Sequence, residues 1–201
     1  MLVPFLELEL YIDGENPDLS SLASPRIFAT HLPYVSLPKS VQDSKCKLVY
    51  LCRNPKDTFI SLWAFTNKLR LQEMGTNSIE EVFEKFCKGV SLYGPFWDHM
   101  LGYWQESLKN PEKIYFLTYE EMKEKPDLHL RKLAEFLGCP FSSKEEEGMV
   151  NKEGKLPSGE STNAFFRNGK VGDWKNYLTS EMVERLEKIC EEKLDGSGLR
   201  F

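Results

Sequence analysis

The residues best suited to chemistry sit in the run KLVYLCRNPKDTFISLWAF, residues 47–65, where Arg53, Asn54, Thr58 and Ser61 interrupt apolar chain. An arginine offers a planar, charged fork for phosphate or carboxylate. Asn54 suits an N-cap and Pro55 the first helical position, so a helix begins directly after Arg53. Free N–H groups at such a start favour an anion, and the carboxyl end of a strand entering a helix is where open α/β sheets bind ligands. The spacing i, i+4, i+7 places Asn54, Thr58 and Ser61 on one polar stripe of a helix that is otherwise nearly all apolar, and a hydroxyl buried there needs a partner. Two readings stay open. One is a phosphate site; the other has Ser61 bonded back to its own helix carbonyl and Arg53 paired with a nearby acid.

His31 ends a predicted strand within RIFATHLP, with Ile27, Ala29 and His31 on one face of it. At a strand's carboxyl end an imidazole can serve as a general base near neutral pH, although a structural role is the commoner reading of a lone histidine. His99, beside Trp97 and Trp104, and His129 fall inside helical runs and read as packing or surface residues. The three histidines lack metal-ligand spacing, so no catalytic metal is expected. The run FFRNGKVGDWK, residues 165–175, joins Arg167 to Gly169 and Gly172; its backbone can approach an anion closely, or it is a basic surface turn. In GMVNKEGK, residues 148–155, the glycine spacing is one residue too long for a Walker A loop and the Ser or Thr is missing, which excludes an ordinary P-loop kinase or ATPase.

These residues need elements to hold them. Residues 13–25 are rich in turn formers and deliver the chain to a strand at 26–31 that Pro33 closes. Residues 46–52 read as a strand covered on both faces and 54–71 as the helix that follows. Further helices are predicted at 78–90 and 95–108, a second buried strand at 113–118, an amphipathic helix at 120–137, an exposed loop over 142–163 and a last helix at 179–194. Strands alternating with helices imply a parallel sheet, hence an α/β fold of three layers with a central parallel sheet.

Composition sets the outer bounds. The 201 residues suit one domain, and 41% hydrophobic, 28% charged and 12% aromatic residues are ordinary globular usage. A net charge of −5 argues against a nucleic-acid binder, so any phosphate site is local. Five scattered cysteines without CxxC spacing disfavour a disulfide framework or a zinc site and point to a reducing, cytoplasmic setting. The start MLVPFLELEL carries glutamates within its apolar stretch and no basic region, so it reads as neither signal peptide nor membrane span.

In order along the chain, RIFATHLPYVSLP, LCRNPKDTFISLW, GPFWDHMLGYW, IYFLTYEEMKEKP and FFRNGKVGDWKNYLT together resemble the cytosolic sulfotransferases, particularly the plant members that sulfate flavonoids, steroids and other small hydroxylated metabolites. The resemblance implies metal-free, in-line transfer of a sulfuryl group from 3'-phosphoadenosine 5'-phosphosulfate (PAPS) to an acceptor hydroxyl, in the setting of plant secondary metabolism. His31 then matches the family's catalytic base, Arg53 and Ser61 its ligands for the 3'-phosphate, and Tyr119 a nucleotide-contacting tyrosine. Arg167, Asn168 and Gly169 fall on its Arg-Lys-Gly contact to that phosphate, with Asn168 in place of lysine.

The family's Tyr-Pro-Lys-Ser-Gly-Thr-Thr-Trp loop, which cradles the 5'-phosphosulfate, has no counterpart in these residues, and another helix and a nucleotide-base contact are missing near 147–151. The sheet is therefore expected to be incomplete at the amino terminus, and a non-catalytic, truncated homologue that keeps partial nucleotide or partner binding is the alternative reading. Ala29 stands where many animal relatives have lysine. Lys175, Thr179, Ser180 and Glu184 keep part of the family's dimerisation pattern, leaving a homodimer through residues 175–184 open.

Overall fold

The computed structural model describes residues 3–11, 19, 24–142 and 169–201. Its regular elements are α1 (Lys39–Gln42), β1 (Leu48–Cys52), α2 (Pro55–Leu69), α3 (Ile79–Cys87), α4 (Phe96–Lys109), β2 (Ile114–Thr118), α5 (Tyr119–Glu124), α6 (Pro126–Leu137) and α7 (Ser180–Leu194), with a π-helical turn at Leu6–Leu10. β1 and β2 pair in parallel, from Leu48 opposite Ile114 to Cys52 opposite Thr118.

Side chains alternate across a strand, so Leu48, Tyr50, Ile114 and Phe116 share one face while Val49, Leu51, Tyr115 and Leu117 share the other. On the first face Tyr103 of α4 stacks on Tyr50 with ring centres 4.4 Å apart, and Trp104 meets Phe116 edge-on at 5.1 Å. On the second, Phe136 of α6 stacks on Tyr115 at 5.3 Å. Helix, sheet and helix make the three layers of an α/β fold. The main core lies on the α4 side, where Phe59 and Ile60 of α2, Phe83 and Phe86 of α3, Trp97 and Met100 of α4 and Leu186 of α7 are buried together.

Helix starts follow the capping residues. Asn54 Oδ1 accepts from the Lys56 N–H at 2.9 Å with Pro55 at the first helical position, and Ser78, Thr118 and Thr179 cap α3, α5 and α7 through their hydroxyls.

Three expectations change. The predicted strand at 26–31 is a single parallel bridge, Ala29 with Phe5. Only Ala29 uses its backbone in that pairing; the next residues turn to a side chain, with the Thr30 hydroxyl and the His31 N–H both donating to the carboxylate of Glu7. The predicted helix at 120–137 is two helices, because Pro126 forces Lys125 out of the helical region (φ −133°, ψ 64°) and then starts α6 at its first position. β1 is not covered on both faces: Val49 and Leu51 are 44% and 52% exposed. The predicted loop over 142–163 lies outside the described residues beyond Ser142.

α2 separates the inner from the outer face sharply. Phe59 is fully buried, edge-on to Phe83 at 5.3 Å, whereas Leu69 is 68% exposed. Phe59→Ala is expected to lower unfolding free energy by about 4 kcal/mol, and Leu69→Ala by less than about 1 kcal/mol. Urea unfolding of the two variants measures both.

Candidate functional site

The register of the two strands builds the first part of the site. Pairing ends at Cys52 and Thr118, so Arg53 and Tyr119 emerge side by side one residue beyond the paired ends. The Arg53 guanidinium lies over the Tyr119 ring, 4.6 Å from its centre. Glu120, the next residue, ties the two strand ends together by accepting from the Asn54 N–H at 3.1 Å. Beneath them the Cys52 thiol is pushed up to about 12, mainly by burial and further by the Glu120 carboxylate, so it is an inert thiol.

Three groups hold the Arg53 guanidinium. Nη1 donates to Ser61 Oγ at 2.8 Å and Nη2 to the Lys170 carbonyl at 3.1 Å, while Asp57 Oδ2 lies 3.7 Å from Nη2. Of the remaining N–H groups, that of Nε is buried and has no partner among the described residues. Arg53 thus pairs with an acid, as in the second sequence reading, and its guanidinium also donates to the hydroxyl of Ser61. Thr58, the middle member of the polar stripe, donates from its hydroxyl back to the Arg53 carbonyl at 3.2 Å.

Asp57 carries more structure than its place on the helix suggested. It is 1% exposed and accepts from the Gly172 N–H at 2.7 Å and the Trp174 N–H at 3.0 Å, which pins residues 169–174 to the first turn of α2. Gly169 (φ 63°) and Gly172 (φ 83°) take the left-handed conformation that lets this segment turn beside Arg53. Arg167 and Asn168 lie outside the described residues. The signal available in the sequence was an acid at i+4 from Arg53 in the first turn of a helix, which reads as an ordinary solvent-facing carboxylate until the glycine turn is placed on it.

His31 belongs to a second cluster. Its ring lies between Phe5 and Tyr93, nearly parallel to both at centroid distances of 4.7 Å and 4.8 Å. Its backbone is anchored from α4: His99 Nε2 lies 3.0 Å from the His31 carbonyl and Tyr103 donates to the Leu32 carbonyl at 2.9 Å. A carbonyl only accepts, so Nε2 of His99 carries the proton and Nδ1 accepts from the Tyr50 hydroxyl at 3.0 Å. Burial lowers the His99 pKa, which keeps that neutral tautomer. His99 is thus a positioning residue rather than the packing or surface residue its helical setting suggested. Through Tyr50 it joins the His31 segment to β1, the strand that leads into Arg53.

The parts described have complementary chemistry. A guanidinium fixed on three sides with a spare N–H, beside a helix start and a glycine turn, can hold an anion. A partly exposed imidazole set against α4 can exchange a proton. A cavity of about 650 Å³ adjoins the junction between residues 54–56 and 187–201, but Arg53, Ser61 and His31 do not line it. No helix among the described residues is long and apolar enough to cross a membrane.

The fold and junction define an α/β protein with an arginine-bearing strand-to-helix turn, and comparison gives the family. Residues 1–198 match the sulfotransferase domain, and the chain belongs to that family. It is 47% identical to Cytosolic sulfotransferase 5 of Arabidopsis thaliana over 220 residues, an alignment covering 100% of this chain and 68% of the relative. A mouse sulfotransferase, SULT7A1, solved with PAP, aligns at 30% identity and a TM-score of 0.75, covering 89% of this chain and 69% of that one. A retinol dehydratase solved with androsterone and PAP aligns at 27% identity and a TM-score of 0.70, covering 91% of this chain and 57% of that one. The chain spans about two thirds or less of the length of such relatives.

Two outcomes follow from this geometry. Asp57→Ala leaves the half-buried N–H groups of Gly172 and Trp174 without this acceptor and is expected to cost about 3 kcal/mol of stability, read by urea unfolding. His99 titrates lower in the folded than in the unfolded chain, so the unfolded state binds its proton first and stability falls as pH drops below about 6.5. His99→Gln, which keeps a donor and an acceptor but cannot be protonated, is expected to flatten that part of the stability-against-pH curve.

Proposed function

We propose that this chain serves sulfuryl transfer from PAPS to a hydroxyl of a small acceptor such as a flavonoid or steroid, in the cytoplasm and without a metal. The observation that carries the reading is the Arg53–Ser61 pair at the end of β1, with Tyr119 on the guanidinium face. These residues fit the nucleotide's 3'-phosphate on local grounds, because a dianion would satisfy together the Ser61 hydroxyl and the buried Nε of Arg53, which has no partner among the described residues. Arg167, Asn168 and Gly169 complete the phosphate site in this reading, and Tyr119 contacts the nucleotide. The PAP held by the mouse relative and by the retinol dehydratase supports the donor, and the word cytosolic in the relatives' names supports the compartment.

The donor supplies an activated sulfuryl group whose leaving group is adenosine 3',5'-bisphosphate. His31 takes the acceptor's proton as its oxygen bonds sulfur and the bond from sulfur to the donor's phosphate oxygen breaks. Arg53 and Ser61 hold the remote phosphate, so they position the sulfur rather than act on it. Lys175, Thr179, Ser180 and Glu184 are exposed on and before α7, where a second copy could dock in the dimer this reading includes.

Calorimetry with adenosine 3',5'-bisphosphate, together with labelled sulfuryl transfer to phenols and steroids, tests the proposal on the 201-residue chain. Arg53→Ala is expected to weaken nucleotide binding by about 10- to 100-fold, the cost of lost charge-assisted hydrogen bonds. His31→Ala is expected to keep nucleotide affinity and lose about 100-fold or more in turnover. Undiminished turnover in His31→Ala rejects its role as base. Nucleotide binding with no transfer by the unmodified chain favours a binding role for these 201 residues, and unchanged affinity in Arg53→Ala removes the phosphate site.

A further inference from the structure

We infer that Glu7 is the positioning residue of His31: its carboxylate selects the imidazole tautomer and, with Phe5 and Tyr93, fixes the ring so that Nε2 alone is presented for proton exchange. Only the use made of Nε2 rests on the sulfuryl-transfer reading; the tautomer and ring orientation stand apart from it. Glu7 Oε1 lies 2.9 Å from His31 Nδ1 and accepts the His31 backbone N–H at 2.8 Å, while Oε2 accepts the Thr30 hydroxyl at 2.9 Å. A carboxylate has no proton to give in its ionised form, so Nδ1 must be the protonated nitrogen and Nε2 carries the lone pair. Burial of Glu7 raises its pKa, but the hydrogen bonds from the His31 N–H, its own N–H, the Thr30 hydroxyl and the His31 ring outweigh it and hold the acid below its ordinary range, so it is ionised at neutral pH.

Both faces of the imidazole are covered, which leaves its edge as the way in. Phe5 and Tyr93 lie 8° and 16° from parallel to it, and the ring remains 45% exposed. Tyr93 reaches this position with φ 58°, a left-handed backbone that a tyrosine rarely adopts and that tends to persist where surrounding structure demands it. Gly94 behind it has no room for a side chain, since a Cβ would lie 2.4 Å from Ser91 Oγ and 3.0 Å from the Gly89 carbonyl. On the other side Phe5 and Glu7 are delivered together: the Ala29 N–H donates to the Pro4 carbonyl and the Leu6 N–H to the Ala29 carbonyl, both at 2.9 Å. The short turn at Leu6–Leu10 thus serves to set one ring and one carboxylate on the same histidine. A carboxylate that orients an imidazole is the arrangement that makes a histidine an effective base in hydrolytic triads.

The test uses Glu7→Gln and Glu7→Ala in the 201-residue chain, with nitrogen-15 NMR of the histidine rings as a readout that needs no turnover. Wild type is expected to show His31 as the Nδ1–H tautomer at neutral pH. Glu7→Gln keeps an oxygen facing Nδ1 and is expected to keep that tautomer and to stay within about threefold of wild-type turnover. Glu7→Ala is expected to release the tautomer and lose about 10- to 100-fold in turnover, with acceptor KM and nucleotide affinity unchanged, as for removal of partners that orient an imidazole. An Nε2–H tautomer in wild type overturns the inference, as does Glu7→Ala with wild-type tautomer and turnover. If Glu7→Ala does not fold, the wild-type tautomer and the Glu7→Gln result decide. A chain that shows the Nδ1–H tautomer yet transfers no sulfuryl group fails the functional reading and leaves the role of Glu7 standing.

Discussion

The arrangement depends on where the parallel pairing of β1 and β2 stops. Because Cys52 and Thr118 are the last partners, the chain leaves both strands at the same level and places a guanidinium against a phenol ring without any loop having to be ordered for it. The Asn54 cap, the Glu120 bond to the Asn54 N–H and the Asp57 bonds to Gly172 and Trp174 are all consequences at that one level. Each satisfies a backbone group that a helix start or a tight turn would otherwise leave bare. The guanidinium is thereby fixed by its surroundings, which is what preorganisation for an anion requires.

The second cluster is tied to the same strand by polar groups that pass through the core. Tyr50 points from β1 towards α4, where its hydroxyl donates to His99 and its ring stacks on Tyr103. Those two α4 residues, four apart on one helix face, fasten the carbonyls of His31 and Leu32. Burial holds the phenols of Tyr50 and Tyr103 far above their ordinary range, so both stay donors at any physiological pH. A buried network in which every partner is satisfied transmits position with little slack. The Arg53 guanidinium and the His31 imidazole are therefore set by one strand, although they draw on segments far apart in the chain.

What could be read from the sequence, and what could not, divides along the range of the interactions. Asn54, Pro55 and the stripe of Asn54, Thr58 and Ser61 are local signals, and the helix they announced begins where they placed it. The strands at 48–52 and 114–118 were legible from apolar runs with β-branched and aromatic residues. The strand at 26–31 was not there to be read, because apolar alternation cannot reveal that Thr30 and His31 would turn to Glu7 instead of a neighbouring backbone. The break at Lys125 was visible in Pro126, and the amphipathic pattern running across it hid it. For the site, Arg53 and Ser61 were legible as a pair on one helix start. The roles of Asp57, His99, Tyr103 and Glu7 were not, since each acts on a partner at least 50 residues away or across an unpredicted turn, and the one local signal, the spacing of Asp57 four residues after Arg53, does not point to Gly172 and Trp174.

Glu7 shows why such residues escape a reading by pattern. In MLVPFLELEL the glutamates count only as interruptions of an apolar run, which argues against a membrane segment and says nothing more. Once a single bridge sets Phe5 opposite Ala29, the same carboxylate becomes the acceptor for three donors of the next segment. A surface acid would gain little from one such contact. Three convergent donors on one carboxylate, two of them from the same histidine, change the outcome, because removing Glu7 would release the backbone and the ring of His31 together. The short apolar run and the histidine therefore have to be understood as one unit, the first supplying orientation and the second the exposed imidazole edge.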